Sequence, residues 1–146
     1  KTLSNNPEKF AGRAIGGCID VLRAIAGTRY DNLENFKKGF ASDGVVLYLE
    51  NCDLGTNEFY RALYQLKYTG WFDNLNGVVI GRNAGQDSTR QPYVELLEEF
   101  FGELNFPVIY DADIGHRQPN LTILNGSLTS FSCDGEGKGE MTLTKD

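Results

Sequence analysis

The sequence has little histidine and little cysteine. Its 146 residues include one histidine, His116, and three cysteines, Cys18, Cys52 and Cys133, without Cys-x-x-Cys spacing. A single histidine excludes a histidine-rich metal centre. An odd number of widely spaced cysteines is typical of free thiols in a reducing compartment, not of a disulfide framework or a zinc site. We therefore expect a cytoplasmic protein.

Long apolar runs and an excess of positive charge are also missing. No run approaches the roughly 18 apolar residues that a membrane-spanning helix needs, and no signal-peptide pattern opens the chain. Against 14 Lys and Arg stand 20 Asp and Glu, a net charge of −6, and the basic residues are scattered. Nucleic-acid binding needs a basic surface to engage phosphates, so we expect no nucleic-acid or membrane partner.

What is present fits one globular domain. The chain is 40% hydrophobic and 23% charged, and its length suits a single core. The first residue is Lys1 rather than Met, which leads us to expect an upstream segment. Residues 1–12 are polar and are predicted to be an irregular linker from a preceding domain, with residues 13–146 forming the domain itself.

Short apolar runs alternate with amphipathic segments up to His116, and this alternation predicts crossover units around a parallel sheet. The predicted strands are 45–49, 77–81 and 107–110, and the predicted helices are 19–26, 57–67 and 92–104. Beyond His116, short strands at 121–124, 128–132 and 141–144 are separated by turn residues, which predicts antiparallel hairpins. The predicted fold class is α/β, with a parallel core, crossover helices and a C-terminal antiparallel sheet.

Two residues at predicted strand ends could carry chemistry. Glu50 directly follows the strand 45–49, and His116 lies just past the strand 107–110. Ligand sites in open α/β sheets gather outside the carboxyl ends of parallel strands, so this carboxylate and imidazole could meet there. An imidazole oriented by a carboxylate is two-thirds of an acyl-transfer triad. By pattern alone, however, a lone histidine is more often a surface or packing residue, and a strand-end Glu is more often a solvated terminus.

The order of several sequence blocks resembles the C-terminal domain of LD-carboxypeptidases and of the related microcin C self-immunity proteins. The resemblance runs from about Gly12 nearly to the end of the chain. Its blocks are Ile15-Gly16-Gly17-Cys18-Ile19, the strand Val45 to Glu50, the helix Phe59 to Gly70, the strand Gly77 to Arg82, and the segment from Pro107 through Gly115-His116 to Asn120.

This resemblance implies a swivelling β/β/α-like domain of a two-domain serine peptidase with a Ser-Glu-His triad. Glu50 and His116 match the triad glutamate and histidine, and the nucleophilic serine belongs to the N-terminal domain. The resemblance also implies that the full-length protein is a homodimer. The serines present here lie in predicted linkers, hairpins or, for Ser88, near a helix start, and none is on a nucleophile elbow between strand and helix.

The resemblance implies hydrolysis of L,D-peptide bonds in muropeptides during cell-wall recycling, a reaction that needs neither a metal ion nor an organic cofactor. The alternatives are a microcin-type hydrolase acting on peptidyl or aminoacyl nucleotides, and a non-catalytic binding or regulatory module. The segment 51–58 is closer to the microcin-immunity branch than to the classical carboxypeptidases. Asp53 and Glu58 follow Glu50 closely and could line a substrate pocket, although an acid at a helix start commonly interacts with the helix dipole.

Overall fold

The computed structural model describes residues 1–85 and 92–144. In chain order the elements are β1 (Glu8–Cys18), α1 (Ile19–Ile25), α2 (Leu33–Gly39), β2 (Val45–Glu50), α3 (Thr56–Tyr68), β3 (Gly77–Gly81), α4 (Tyr93–Phe101), β4 (Val108–Ala112), β5 (Leu128–Cys133) and β6 (Gly139–Thr144). The three predicted parallel strands and the three predicted helices are confirmed, with shifted ends. The helix α2 was not predicted because it has only two apolar side chains, Leu33 and Phe36, which are too few to show a helical period.

One curled sheet contains all six strands, in the order β4-β3-β2-β1-β5-β6. The strands β1 to β4 are parallel to one another, and β5 and β6 continue the sheet in antiparallel orientation from the edge of β1. The α/β class is therefore confirmed. The antiparallel strands extend the parallel sheet through β1 instead of forming a separate sheet.

The prediction of an irregular segment up to Gly12 is wrong for residues 8–12, which form the first half of β1. This half pairs with β5, and Phe10 faces Phe131 across the pair. Phe10 is only 8% exposed, so burial against a strand more than 100 residues away stabilises a stretch that looks polar locally. Thr2 also forms an isolated bridge with Ile109. Whether residues 1–12 follow another domain stays a prediction.

The predicted strand at 121–124 is also wrong, because these residues are irregular. Leu121 and Leu124 are 53% and 61% exposed. An apolar segment becomes a strand only where a neighbouring strand pairs with it, and in the described structure β5 occupies the free edge of β1. The segment is instead a loop, in which the N–H of Leu121 donates to the carbonyl oxygen of Asp113 at 2.6 Å.

Apolar side chains cover both faces of the sheet. The larger core lies between the sheet and the helices, where Leu47 and Leu49 of β2 pack with Phe59 of α3 and Phe100 of α4. The smaller core lies on the opposite face of the sheet and includes Val46, Val79, Phe10 and Phe131. None of the described helices has the length and apolar character needed to cross a lipid bilayer.

Candidate active site

The site is built where β1 and β2 end side by side. Cys18 is the last residue of β1 and pairs in register with Glu50, the last residue of β2. Side chains alternate between the two faces of a strand, so Glu50 shares the face of Val46 and Tyr48, opposite the helices. Only 5% of Glu50 is exposed. Strand register thus places a buried carboxylate at the carboxyl ends of the parallel strands, where ligand sites form in such sheets.

His116 meets this carboxylate, as the strand-end argument anticipated. Its Nδ1 lies 2.9 Å from Glu50 Oε1. The two partners differ in environment, because the histidine side chain is 57% exposed and the glutamate side chain only 6%. With Nδ1 engaged by the carboxylate, Nε2 is the ring nitrogen left for a substrate or a nucleophile.

The pKa of His116 is raised from 6.5 by its hydrogen bond to Glu50 and by the negative charge of that carboxylate. A carboxylate that accepts a hydrogen bond from the imidazolium stabilises the protonated ring. The pair therefore takes up a proton more readily than a free histidine would. That property suits a group that must accept a proton and then return it within one reaction cycle.

Two glycines make room for the Glu50 side chain. A β-carbon on Gly81 of β3 would lie 2.9 Å from Cβ of Glu50. A β-carbon on Gly115 would lie 2.7 Å from Oε2 of Glu50, and Gly115 also has a φ of +96°, which side-chain-bearing residues rarely adopt. The Gly-His pair is thus a packing requirement of the site, since the glycine lets the next residue reach the carboxylate.

Arg82 holds the loop that carries His116. Its Nη2 forms an ion pair with Oδ1 of Asp113 at 3.1 Å. The same nitrogen donates to the carbonyl oxygen of Arg117 at 3.0 Å and to that of Pro119. One guanidinium at the end of β3 therefore fastens the loop on both sides of the histidine. Sequence reasoning included Arg82 in the family resemblance but gave it no role.

Asp20 organises the segment that follows Glu50. Its two carboxylate oxygens accept hydrogen bonds from the backbone N–H groups of Cys52 and Asp53, each at 3.1 Å. Oδ2 also lies 3.2 Å from the thiol sulfur of Cys18. Burial would raise the pKa of Asp20, but these donors outweigh it and hold the pKa below its usual value. The sequence offered one indication of this residue, an acid in the first turn of α1.

Cys18 lies between the carboxylates of Asp20 and Glu50. Burial, together with these two acceptors, raises the pKa of the thiol to about 12. The thiol is therefore protonated at neutral pH and is a poor nucleophile, because the thiolate is the reactive form. Donor atoms of Cys18, Glu50 and His116 all lie within 4.8 Å of one another, the one such group of potential metal ligands within residues 1–85 and 92–144.

The two weaker sequence candidates lie outside this contact. Asp53 and Glu58 are both exposed, and neither side chain hydrogen-bonds to Glu50 or His116 in the described structure. Asp53 takes part through its backbone N–H, which donates to Asp20. A role for either side chain in substrate binding stays a prediction.

Two of the described serines donate hydrogen bonds to other groups. Ser4 donates to Glu8 at 2.7 Å, and Ser127 donates to the carbonyl oxygen of Leu124 at 2.6 Å. Ser88 lies outside the described residues. No serine of residues 1–85 and 92–144 hydrogen-bonds to His116, so the described part of the chain places no serine hydroxyl in contact with the Glu50–His116 pair.

Comparison with known proteins places the chain in a family. Its sequence matches the LD-carboxypeptidase C-terminal domain over residues 11–131. A Streptomyces coelicolor protein provisionally named a carboxypeptidase is 30% identical over 139 residues, which are 95% of this chain and 41% of that protein. The microcin C7 self-immunity protein MccF of Escherichia coli is 27% identical over 129 residues, 86% of this chain and 35% of MccF.

The fold is shared with a solved structure. The muramoyltetrapeptide carboxypeptidase of Oxalobacter formigenes superposes with a TM-score of 0.79 at 20% identity, over 97% of this chain and 47% of that one. The chain thus spans less than half the length of each of these three proteins. The family resemblance predicted from the sequence is confirmed: this chain belongs to the LD-carboxypeptidase C-terminal domain family.

Proposed function

We propose that this chain is the acid–base half of a serine-type LD-carboxypeptidase that hydrolyses L,D-peptide bonds of muropeptides. The observation that supports this most directly is the 2.9 Å contact between His116 Nδ1 and the buried Oε1 of Glu50. A preceding domain would supply the serine and the oxyanion donors, as expected for a chain that spans 41% of its Streptomyces relative. The serine domain and a homodimer partner are parts of this proposal.

In the proposed mechanism His116 moves the protons. Its Nε2 removes the proton from the serine hydroxyl as the oxygen attacks the scissile carbonyl, and it then gives this proton to the leaving amine. In the second half-reaction it takes a proton from water, whose oxygen attacks the acyl-enzyme, and returns the proton to the serine. Glu50 accepts the hydrogen bond of Nδ1 throughout, which fixes the tautomer and stabilises the imidazolium.

The decisive experiment measures D-alanine release from an L,D-linked tetrapeptide by the polypeptide that combines this domain with its serine domain. Parent and His116→Ala proteins are compared, and we expect the variant to lose activity by at least about 10³-fold, as when a triad base is removed. Glu34→Gln, a change on the exposed face of α2, serves as the matched control and should leave turnover unchanged. Near-normal turnover of His116→Ala would remove the histidine from the mechanism.

The isolated chain should be inactive, because activation of a serine needs the serine and its base in one site.

A second candidate substrate is a peptidyl or aminoacyl nucleotide. It is favoured by the 27% identity to MccF, a microcin C7 self-immunity protein, over 86% of this chain. The same Glu50–His116 pair would serve either amide, because the chemistry of acyl transfer is shared and only the leaving group differs. Cleavage of an aminoacyl sulfamoyl nucleoside without D-alanine release would assign this substrate class. Failure on both substrates, with the fold intact, would favour the non-catalytic module.

A further inference from the structure

Three side chains of different donor chemistry meet at the carboxyl ends of β1 and β2. The thiol of Cys18, a carboxylate oxygen of Glu50 and a ring nitrogen of His116 lie within 4.8 Å of one another. Thiolate, imidazole and carboxylate are the three ligand types by which proteins bind Zn²⁺. The proposed hydrolysis uses the imidazole and the carboxylate and assigns nothing to the thiol.

The spacing of these atoms is close to that of a tetrahedral site. Zinc bonds of about 2.0–2.3 Å place neighbouring ligand atoms about 3.3–3.6 Å apart. The His116–Glu50 contact of 2.9 Å therefore has to widen by several tenths of an ångström. A pair at the outer limit of 4.8 Å has to close by about 1.2–1.5 Å. His116 is on a surface loop with a side chain 57% exposed, so its ring has room for this adjustment.

A second observation concerns the Oε2 atom of Glu50. Oε2 of Glu50 is buried and has no hydrogen-bond partner among the described residues. A buried carboxylate oxygen without a donor is costly, and a bound cation would compensate it. The orphan oxygen belongs to the same carboxylate whose other oxygen contacts His116.

We propose that Cys18, Glu50 and His116 bind a thiophilic divalent cation of the zinc type, with water completing the tetrahedron. As the sulfur–metal bond forms, the thiol proton is released to solvent, and the hydrogen bond that the Cys18 thiol donates to Asp20 is lost. Asp20 keeps its two backbone donors, Cys52 and Asp53. The cation separates Glu50 from His116, so metal occupancy and the acid–base pair exclude each other. Reversible inhibition by the cation rests on the proposed function, whereas binding itself does not.

The test is a titration of this protein with Co²⁺, a spectroscopic substitute for zinc. The parent should develop a near-ultraviolet sulfur-to-cobalt charge-transfer band that Zn²⁺ abolishes. Cys18→Ser should remove the band. His116→Ala and Glu50→Gln should each weaken Co²⁺ binding by more than about tenfold, since loss of even an outer-shell partner has effects of that size. Cys52→Ser, a neighbouring thiol, is the matched control and should change neither the band nor the affinity.

Several outcomes would contradict the proposed metal site. These are the absence of saturable binding, a band that survives Cys18→Ser or vanishes in Cys52→Ser, and unchanged affinity in either ligand variant. A measurement without variants covers the case of a misfolded mutant. Zn²⁺ should shift or broaden the NMR signals of His116, the one histidine of the sequence, and an unmoved signal would contradict its ligation. None of these readouts depends on hydrolysis, so failure of the proposed function leaves them interpretable.

Discussion

A β-carbon on Gly115 would lie 2.7 Å from both Cβ and Oε2 of Glu50, which ties the residue before His116 to the carboxylate that the histidine contacts. Such contacts are far shorter than van der Waals distances. Glu50 has little freedom to retreat, because Gly81 approaches it from β3. The glycine is therefore where the histidine loop and the buried acid fit together.

We predict that Gly115→Ala destabilises the domain and disrupts the pair. Its φ of +96° costs a non-glycine residue about 1–3 kcal/mol in backbone strain alone, and the contact with Glu50 adds to this. The free energy of unfolding from denaturant titration measures the effect. Gly39→Ala is the control, because Gly39 is helical and a β-carbon there would meet nothing within 4 Å. Equal stability of the two variants would contradict the close packing of Gly115 on Glu50.

The protonation of His116 should depend on Glu50. NMR titration of the ring should give a pKa above 6.5 in the parent, and Glu50→Gln should lower it, because the hydrogen bond and the charge of Glu50 raise it. Since the folded-state pKa is raised, the stabilisation by this contact is fully present below pH 6.5 and is lost as the pH rises through the raised value. Glu34→Gln should leave the titration unchanged. A titration that Glu50→Gln does not alter would count against the contact.

Arg82 should matter more through the carbonyl groups it binds than through its ion pair. Arg82→Ala leaves the carbonyl oxygens of Arg117 and Pro119 without their charged donor, which should cost about 1–3 kcal/mol and loosen the His116 loop. Asp113→Asn removes only a partly exposed ion pair, which should cost about 1 kcal/mol or less. Unfolding free energies and hydrogen exchange of the loop test this order. A larger effect of Asp113→Asn would reverse the interpretation.

Asp20 should set part of the acid sensitivity of the domain. Its folded-state pKa is lowered, so its stabilisation is present above the unfolded pKa, about 3.9, and is lost as the pH falls through the lower folded value. Asp20→Ala removes the acceptor of two backbone N–H groups and should cost about 1–3 kcal/mol at neutral pH. Unfolding measured against pH should show that the difference from the parent shrinks under acidic conditions. Asp53→Ala, which retains the backbone donor, should have little effect.

Much of the fold could be predicted from local pattern. The strands β2 and β3 are continuous apolar runs, and α3 and α4 have clear apolar faces, so each was found from its own residues. The whole of β1 was missed, because its first half looks polar locally and is buried only by pairing with β5, which lies more than 100 residues away in sequence. The prediction of a strand at 121–124 was wrong for the opposite reason. These residues have a strand-like composition, but no neighbouring strand of the described structure pairs with them.

The sequence by itself determined the α/β class, the family and the two strand ends at which Glu50 and His116 stand, because apolar periodicity and short motifs are properties of neighbouring residues. Tertiary structure alone decided that Cys18 lies beside Glu50 and that Asp20 accepts hydrogen bonds from the backbone that follows Glu50. It also decided that Arg82 binds the loop that carries His116. Strand register and loop closure bring residues 32 to 66 positions apart into contact. Such contacts form only when the whole chain is folded, so they cannot be predicted from the pattern of neighbouring residues.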